Sequence, residues 1–308
     1  MPGGYGYGSG SNLKYDQFLR AGVLKAVTEL KYEAPETVEA AVALLAAGTQ
    51  GAKIFAGGTD LLVQMREDLI EPELLIDIKN ISEVRAISIG ANDIKIGAAV
   101  TGAELGEHAE VKALWPGVVE AMELIGSDQV QGRATMGGNL CNASPGADSV
   151  PAVMVAGAVA SIIGPSGQRE LPAEDVAIAP GKTALEKGEF VTSLFFPKRP
   201  PHSGDCYQRF TPRTEMDIAV VGVGINLTLD DDGTCTAARV ALGAVAARAL
   251  LVEEAANTLI GTKVDDAALA ALAAAASAAS KPIDDKRGTK EFRIKLSGVL
   301  AKRVAQVA

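Results

Sequence analysis

The chain has 308 residues, enough for two domains, and hydrophobic residues make up 48% of it, which is enough for a sizeable core. The formal net charge of −9 argues against nucleic acid as a partner, because phosphate contacts need clustered Lys and Arg. With only three cysteines and two histidines, we expect no iron–sulfur cluster, no Cys-only zinc site and no His-metal site.

The composition of individual segments indicates the cellular compartment of the protein. No apolar run approaches the roughly 18 residues of a membrane span, and no basic region precedes an apolar stretch at the N-terminus. Three thiols without C-x-x-C spacing favour a cytoplasmic protein, which partner chains could bring to a membrane. Residues 1–31 are expected to be a flexible extension, a tag or a partner-binding tail, in which Lys14–Val27 could form a short helix.

Strands and helices alternate through the first two thirds of the chain. Hydrophobic residues at helical spacing predict a helix from Pro35 to Gly48, and Thr101 with Glu104 has capping-box spacing for another. The polar stretch Gly126–Val150 has no strong periodicity, and such a long loop is usually functional. The other predicted elements here are the strand Lys53–Ala56, a helix with Leu61, Leu62, Met65 and Leu69, the strands Leu74–Ile78 and Asp93–Val100, the helix Pro116–Ile125, a helix then a strand within Val153–Ile163, and the strand Glu189–Phe196.

The Pro-rich stretch Lys198–Gly204 is the best candidate for a linker. We therefore place one domain over residues 32–200 and a second over residues 201–308. The second domain is predicted to be a sheet backed by helices, with a hairpin turn at Asp231-Asp232-Gly233. Its predicted elements are the strands Asp205–Phe210, Ile218–Leu229 and Thr234–Gly243, and the helices Arg248–Ile260, Asp266–Ser280 and one from Thr289 with Phe292, Leu296, Val299 and Leu300 on one face.

Two Gly-Gly loops carry the functional signal. Ala56–Asp60 joins a predicted strand to a helix, and Thr135–Asn139 lies in the long polar stretch. Without Cβ atoms the backbone can turn sharply, so that its amides converge on an anion at the positive end of a helix. Two such loops could grip one extended diphosphate, although ordinary tight turns remain an alternative. Gly181-Lys182-Thr183 lacks the spacing of a phosphate-binding P-loop, and Gly222-Val223-Gly224 lacks the third glycine of a dinucleotide-binding fingerprint.

These motifs resemble the two flavin loops of the FAD-binding medium subunits of molybdenum hydroxylases, as in carbon monoxide dehydrogenase. The residues that carry the resemblance are Ala56–Leu62 (AGGTDLL) and Thr135–Asp148 (TMGGNLCNASPGAD). Arg213–Ala219 is also similar to the motif that opens the family's C-terminal domain, and Lys286–Arg293 resembles its closing helix. The resemblance implies an α+β protein. Its first part would be a vanillyl-alcohol-oxidase (PCMH)-type FAD-binding domain of two subdomains, followed by a smaller α+β C-terminal domain.

The resemblance also implies a set of FAD contacts. The amides of the first loop would hold the pyrophosphate, with Asn139, Ser144 and Asp148 near the pyrophosphate or the ribityl chain. Leu194 would pack near the isoalloxazine, and Arg209 would lie near the flavin ring, where a cation stabilises the anionic reduced flavin. A plain core leucine and a surface arginine remain the alternatives. The implied contacts are Lys53, Ile54, Phe55, Ala56, Gly57, Gly58, Thr59, Asp60, Leu61, Thr101, Thr135, Gly137, Gly138, Asn139, Ser144, Asp148, Leu194 and Arg209.

The same resemblance implies an electron-transfer oxidoreductase subunit without catalytic residues of its own. A molybdenum-cofactor large subunit would act on the substrate, and [2Fe–2S] clusters on a small subunit would deliver electrons to FAD. The final acceptor would be NAD, a quinone or oxygen. No cysteine-bearing insertion follows Ser149, which argues against the 4-hydroxybenzoyl-CoA reductase branch. A stand-alone flavin oxidase and a binding scaffold that has lost FAD stay open as alternatives.

Overall fold

The computed structural model describes residues 30–48 and 51–308. The predicted flexible extension over residues 1–31 lies almost entirely outside these ranges, as does the predicted helix Lys14–Val27. The described residues form sheets of three, five, four and two strands, with helices packed against them. The expected α+β class is therefore confirmed. Among the helices of the described part, none is long and apolar enough to cross a bilayer.

The elements of the described chain are the following. The strands are β1 (Lys31–Glu33), β2 (Ala52–Phe55), β3 (Leu74–Asp77), β4 (Ile87–Ile89), β5 (Asp93–Gly97), β6 (Val159–Gly164), β7 (Gly167–Pro172), β8 (Ala177–Ala179), β9 (Lys182–Thr183), β10 (Phe190–Pro197), β11 (Ser203–Phe210), β12 (Val221–Leu229), β13 (Cys235–Gly243) and β14 (Leu250–Leu251). The α-helices are Val38–Ala47, Leu61–Arg66, Gly102–Glu107, Ala109–Leu114, Pro116–Glu123, Asp128–Gln131, Met136–Cys141, Ser149–Val155, Ala173–Val176, Glu253–Asn257, Asp266–Ala279 and Lys290–Ala305, and 3₁₀ turns span Ile78–Asn80 and Ser82–Arg85.

The first subdomain is a parallel sheet with the strand order β1-β3-β2. Parallel neighbours need a crossover connection, and the helix Leu61–Arg66 lies in the connection from β2 to β3. Val38 and Ala41 of the helix Val38–Ala47 belong to one buried cluster with Ile76 of β3. The first glycine loop follows β2 directly, so this small sheet positions it.

The second subdomain is an antiparallel sheet in the order β4-β5-β10-β6-β7. Ile94 and Ile96 of β5 lie opposite Phe196 and Leu194 of β10, and alternate residues of a strand point to the same face. All four side chains are buried in the largest core cluster, together with residues of the helix Pro116–Glu123. The second glycine loop is held against this core.

The C-terminal domain is an antiparallel sheet in the order β11-β12-β13-β14, backed by the helices Asp266–Ala279 and Lys290–Ala305. These two helices approach closely, since a Cβ atom on Gly298 would lie 2.6 Å from the carbonyl oxygen of Ala273. The predicted hairpin turn between β12 and β13 is confirmed. Gly233 supplies its left-handed residue, with a φ of 76°.

The helix Ser149–Val155 joins the first and second subdomains, together called the FAD-type domain after the expectation from the sequence, to the C-terminal sheet. The carbonyl oxygen of Met154 accepts hydrogen bonds from Nε (3.1 Å) and Nη2 (2.9 Å) of Arg239 in β13. The carbonyl oxygen of Val155 accepts one from Nδ2 of Asn226 in β12 at 3.2 Å. The Met154 carbonyl also accepts from the amide of Gly157 at 3.0 Å, so Arg239 adds a charged donor to this helix end from across the domain boundary.

The side chain of Arg199 anchors the predicted linker Lys198–Gly204 to the FAD-type domain. Nη1 of Arg199 donates to Oδ1 of Asp205 at 2.6 Å and to the carbonyl oxygen of Leu114 at 2.9 Å, and the guanidinium lies 4.7 Å from the ring centroid of Trp115. Burial raises the pKa of Asp205 to about 6, although Arg199 acts in the opposite direction. Two prolines indicated a linker, but only tertiary contacts reveal this anchoring.

Two predictions about regular structure in the FAD-type domain were wrong in detail. The stretch Gly126–Val150 is not a loop without structure, because it contains the helices Asp128–Gln131 and Met136–Cys141 and the start of a third. Helices of four to six residues are too short to show a period in the sequence. The first helix begins after Thr37 rather than at Pro35, since the Thr37 side chain caps it.

Two predictions in the C-terminal domain were also wrong. The expected helix Arg248–Ile260 is instead β14 followed by the short helix Glu253–Asn257, because Leu250 pairs with β13 and tertiary pairing overrides local propensity. In the last helix, the expected apolar face is buried only in part. Leu300 is buried and Leu296 packs against the core, but Phe292 is 43% exposed, and the unpredicted Arg293 is only 4% exposed.

Arg239→Met should destabilise the contact between the two domains. The variant keeps the aliphatic stem but leaves the helix-end carbonyl without its charged donor, which costs about 1–2 kcal/mol. Denaturant unfolding of the full chain measures the loss. Arg303→Met, at an exposed position of the last helix, is the matched control and should leave the free energy of unfolding unchanged. Equal stability of the two variants would contradict the assigned role of Arg239.

Candidate functional site

A cavity of about 570 Å³ lies between the first and second subdomains. Its volume falls in the range of small-molecule sites. Both glycine loops form part of its wall, and apolar side chains from both subdomains form much of the rest. The apolar lining residues include Leu45, Ile54, Leu69, Ile70 and Ile78 on one side, and Ala98, Ile125, Leu185, Phe190 and Val191 on the other.

The first loop presents free backbone amides to this cavity. The amides of Gly57, Gly58, Thr59 and Asp60 donate no hydrogen bond to another described residue. The helix Leu61–Arg66 follows at once, so the positive end of its dipole adds to these donors. Consecutive amides free of protein partners form a cradle for an anion.

The first loop requires glycine because neighbouring protein atoms leave no room for a side chain. Gly58 has a φ of 74°, and a Cβ atom on it would lie 2.2 Å from Cε2 of Phe55. A Cβ atom on Gly57 would lie 2.0 Å from the carbonyl oxygen of Arg133, just before the second loop. The two loops therefore touch, backbone to backbone, only because residue 57 has no side chain.

The second loop opens the helix Met136–Cys141. Oγ1 of Thr135 accepts a hydrogen bond from the amide of Gly138 at 3.0 Å and so caps the helix. Gly137 packs on the preceding core, since its Cβ atom would lie 2.7 Å from Cβ of Ala98. A Cβ atom on Gly138 would meet only Oγ1 of Thr135 within 4 Å. Gly138, which lines the cavity, is thus the least crowded of the loop glycines.

The structure brings most of the predicted cofactor contacts together around this one cavity. Residues from both loops meet there, although they are separated by about 75 positions in the chain. The predicted contacts that line the cavity are Lys53, Ile54, Ala56, Gly57, Gly58, Thr59, Asp60, Leu61, Thr135, Gly137, Gly138 and Asn139. The predicted contacts outside its lining are Phe55, Thr101, Ser144, Asp148, Leu194 and Arg209.

The residues outside the lining have other contacts. Thr101 forms the predicted capping box with Glu104 and pairs with Thr135 in an isolated β-bridge. Leu194 is fully buried in the core of the second subdomain. Oγ of Ser144 accepts a hydrogen bond from the amide of Gly146 at 3.4 Å.

Asp148 and Arg209 form a buried ion pair between the domains. Nη1 of Arg209 lies 2.5 Å from Oδ2 of Asp148, and the hydroxyl of Tyr207 donates to Oδ1 at 2.9 Å. The Arg209 side chain is only 5% exposed, so it is not a surface arginine. Burial raises the pKa of Asp148 to about 6, with Arg209 and Tyr207 acting against this rise. The next residue, Ser149, donates to Oδ1 of Asn139 at 2.7 Å, which connects this pair to the cavity wall.

Sequence reasoning missed several lining residues. Nε2 of Gln64 donates to Oδ1 of Asn142 at 2.8 Å, which ties the helix after the first loop to the second loop. Gln64 could have been predicted from the sequence, because it lies one helical turn after Asp60 and therefore on the same face of the helix. Gly181 and Thr183, rejected above as part of a P-loop, line the cavity from the β8–β9 turn.

Cys141 also lines the cavity. Burial raises the pKa of its thiol to about 12, so the thiol is neutral near pH 7. It contributes a small apolar surface rather than a nucleophile.

Two family profiles match the chain. Residues 28–199 match the FAD binding domain in molybdopterin dehydrogenase, and residues 206–308 match the CO dehydrogenase flavoprotein C-terminal domain. Both glycine loops and the cavity lining lie within the first match. The contact between the domains described above joins the two matched parts.

Individual relatives agree with these profiles. The chain is 34% identical to the carbon monoxide dehydrogenase medium chain of Afipia carboxidovorans, over 90% of this chain and 96% of the relative. It is 30% identical to a putative xanthine dehydrogenase FAD-binding subunit of Escherichia coli, over 90% and 95%.

Solved structures show the same similarity. Reconstituted CO dehydrogenase from Oligotropha carboxidovorans matches with a TM-score of 0.88 at 32% identity, over 92% of this chain and 98% of that one. Quinoline 2-oxidoreductase from Pseudomonas putida 86 matches with a TM-score of 0.84 at 29% identity, with the same coverage.

Gly138→Val should remove flavin from the purified full chain. The new side chain points toward the cavity wall and displaces the Thr135 cap, so that a ligand can no longer approach the loop. The flavin content, measured from the visible absorbance after FAD is added, should fall to a small fraction of the wild-type value. Gly132→Ala is the control, because a Cβ atom there has no neighbour closer than 3.6 Å. Normal flavin content in Gly138→Val would show that the site is misplaced.

The stability of the chain should depend on the protonation of Asp148. Its pKa is about 6 in the folded chain and about 3.9 in an unfolded one, so the folded state binds more protons between these values. The free energy of unfolding should therefore fall as pH rises from about 4 to about 6.

The variant Asp148→Asn tests this dependence by denaturant unfolding across the same pH range. It should show a shallower slope, by at most about 1.4 kcal/mol per pH unit. Asp205 adds a slope of the same sign, which remains in the variant. Asp175→Asn, an exposed control, should keep the wild-type slope. An unchanged slope in Asp148→Asn would contradict the assignment.

Proposed function

Because this chain belongs to the FAD-binding medium subunits of the molybdenum hydroxylase family, we propose that it relays electrons from [2Fe–2S] clusters on a partner subunit to an external acceptor. FAD is its cofactor, and the chain is a subunit of an oxidoreductase. The observation that carries the proposal is the cavity between the two glycine loops, with free amides on one side and apolar walls around it.

The residues of the cavity fit FAD. The amides of Gly57–Asp60 would hold the pyrophosphate, which needs donors and no competing protein acceptor. Asn139 and Thr135 lie on the opposite loop, and the apolar walls suit the ring systems at the two ends of the molecule. Gly138 leaves room for the close approach of a ligand.

The predicted contacts outside the lining act through neighbours in this proposal. Thr101 supports the second loop through Thr135, and Asp148 supports it through Ser149 and Asn139. Arg209 is the cation of the site in this proposal, and it acts through the ion pair with Asp148. Phe55 supports the first loop from beneath Gly58. In the proposed division of roles, residues 32–200 hold FAD and residues 201–308 complete the site.

The bound FAD supplies the redox chemistry, because it takes up electrons and releases them to another carrier. The chain supplies position and the exclusion of water. Among the described residues that line the cavity there is no histidine or tyrosine to act as a base. The lining carboxylates are Asp60, in the first loop, and Glu189, which Arg169 holds with two bonds of 2.8 Å. This favours the electron-transfer subunit over a stand-alone flavin oxidase.

The partners belong to the proposal as well. The related chains are named medium chains and FAD-binding subunits of dehydrogenases. By analogy, a molybdenum-cofactor large subunit and a [2Fe–2S] small subunit would complete a heterotrimer, with NAD, a quinone or oxygen as the acceptor. A cytoplasmic location fits the three free thiols.

Purification of the chain from its native source, followed by mass spectrometry of the copurifying chains, tests the proposal. We expect a flavin spectrum in this chain, and a molybdenum-bearing and an iron–sulfur chain in the same complex. Substrate should reduce the flavin in the complex but not in the isolated chain. A monomer that oxidises an organic substrate alone would overturn the proposal in favour of the flavin oxidase, and a chain that takes up no FAD would refute both.

A further inference from the structure

Lys79 contacts the base of the first glycine loop but does not line the cavity. It belongs to the 3₁₀ turn that follows β3, whose neighbour β2 ends at Phe55, where the loop begins. Nζ donates to the carbonyl oxygen of Ala56 at 2.9 Å. The same atom lies 4.0 Å from the centroid of the Phe55 ring. The lysine therefore contacts both residues that precede Gly57.

Each of these contacts constrains the loop. The Phe55 ring occupies the space beneath Gly58, where a Cβ atom would lie 2.2 Å from it. An ammonium held over that ring fixes its position. The bond from Lys79 holds the carbonyl of Ala56, the first residue of the loop, while the amides of the next four residues have no protein acceptor. An anion cradle needs this separation of carbonyls from amides.

A second layer holds Lys79 itself. Oδ1 of Asp77 lies 2.8 Å from Nζ and accepts from the backbone amide of Lys79 at 2.9 Å, while Oδ2 accepts from the hydroxyl of Tyr32 at 2.5 Å. Burial alone would raise the pKa of Asp77, but the bonds from Lys79 and Tyr32 lower it, so the carboxylate stays charged. The Lys79 side chain is only 19% exposed. Nζ of Lys79 thus lies between Asp77, which holds it, and the two residues at the base of the loop, Ala56 and Phe55.

We propose that Lys79 is a positioning residue for the pyrophosphate of FAD, which it orders through Ala56 and Phe55 without touching the cofactor. Asp77 and Tyr32 hold the ammonium in place. The inference rests on the proposed FAD site in the first loop.

The test compares two ligands on the full-length apoprotein. FAD contains the pyrophosphate, whereas riboflavin has the same ring system without it. Lys79→Met should weaken FAD binding about tenfold or more, the usual effect of losing a bond to a charged donor, and should leave riboflavin binding within about twofold. Lys79→Arg, which can still donate to Ala56 and Asp77, should recover part of the FAD affinity. Fluorescence titration gives both dissociation constants, and thermal unfolding gives Tm.

Two further variants keep the test decisive. Lys95→Met is the matched control, because Lys95 lies over Phe195 in the same domain, 5.7 Å from the ring centroid, and does not line the cavity. It should bind FAD like the wild type. Tyr32→Phe removes only the hydroxyl that holds Asp77, on a ring that is 57% exposed, and should weaken FAD binding to a smaller degree even if Lys79→Met fails to fold.

The outcomes separate this inference from the proposed function. Unchanged FAD binding in Lys79→Met would overturn the role of Lys79, and so would an equal loss of FAD and riboflavin binding, which indicates a merely structural role. If Lys79→Met does not fold, wild-type FAD affinity in Tyr32→Phe would overturn it instead. A wild-type chain that binds no FAD would refute the proposed function itself.

Discussion

The contact between Gly57 and the backbone at Arg133 is the constraint on which the site depends. A side chain at residue 57 would collide with that carbonyl at 2.0 Å, so the two glycine loops meet only because this position has no Cβ atom. The first loop is carried by a parallel sheet and the second by an antiparallel one. Their contact sets the distance between the subdomains, and with it the width of the cavity. The amides of the first loop then face a wall that a different part of the chain provides.

The C-terminal domain is coupled to this arrangement through polar groups rather than through apolar packing alone. Arg209 and Tyr207 of β11 hold Asp148, and the residue after Asp148 bonds to Asn139 in the cavity wall. Arg239 satisfies a carbonyl at the other end of the same short helix. Buried charges of this kind are costly unless paired, so these bonds tolerate little displacement. The second domain thereby fixes the helix on which the far side of the site is built.

Local patterns predicted the fold where each element was long or had a strong end signal. The capping box at Thr101 and the hairpin turn at Gly233 were both predictable from the sequence, because each depends on a few adjacent residues. The stretch Gly126–Val150 was not, since its helices are shorter than the windows that reveal a period. The prediction of the buried face of the last helix was wrong in part, for another reason. Its buried face includes Arg293, whose hydrogen bonds to distant carbonyls make burial favourable, and no apolar pattern records them.

The amino-acid sequence by itself determined the two glycine loops, the family they resemble and therefore the cofactor. This was possible because a loop that binds an anion through its backbone needs glycine and small polar residues at fixed spacing. Tertiary structure decided how closely each glycine is surrounded by protein. A Cβ atom on Gly57, Gly58 or Gly137 would collide with several neighbouring atoms, whereas one on Gly138 would meet only Oγ1 of Thr135. Tertiary structure also placed Lys79 at the base of the first loop, because a bond between a side chain and a carbonyl 23 positions away exists only once β2 and β3 lie side by side.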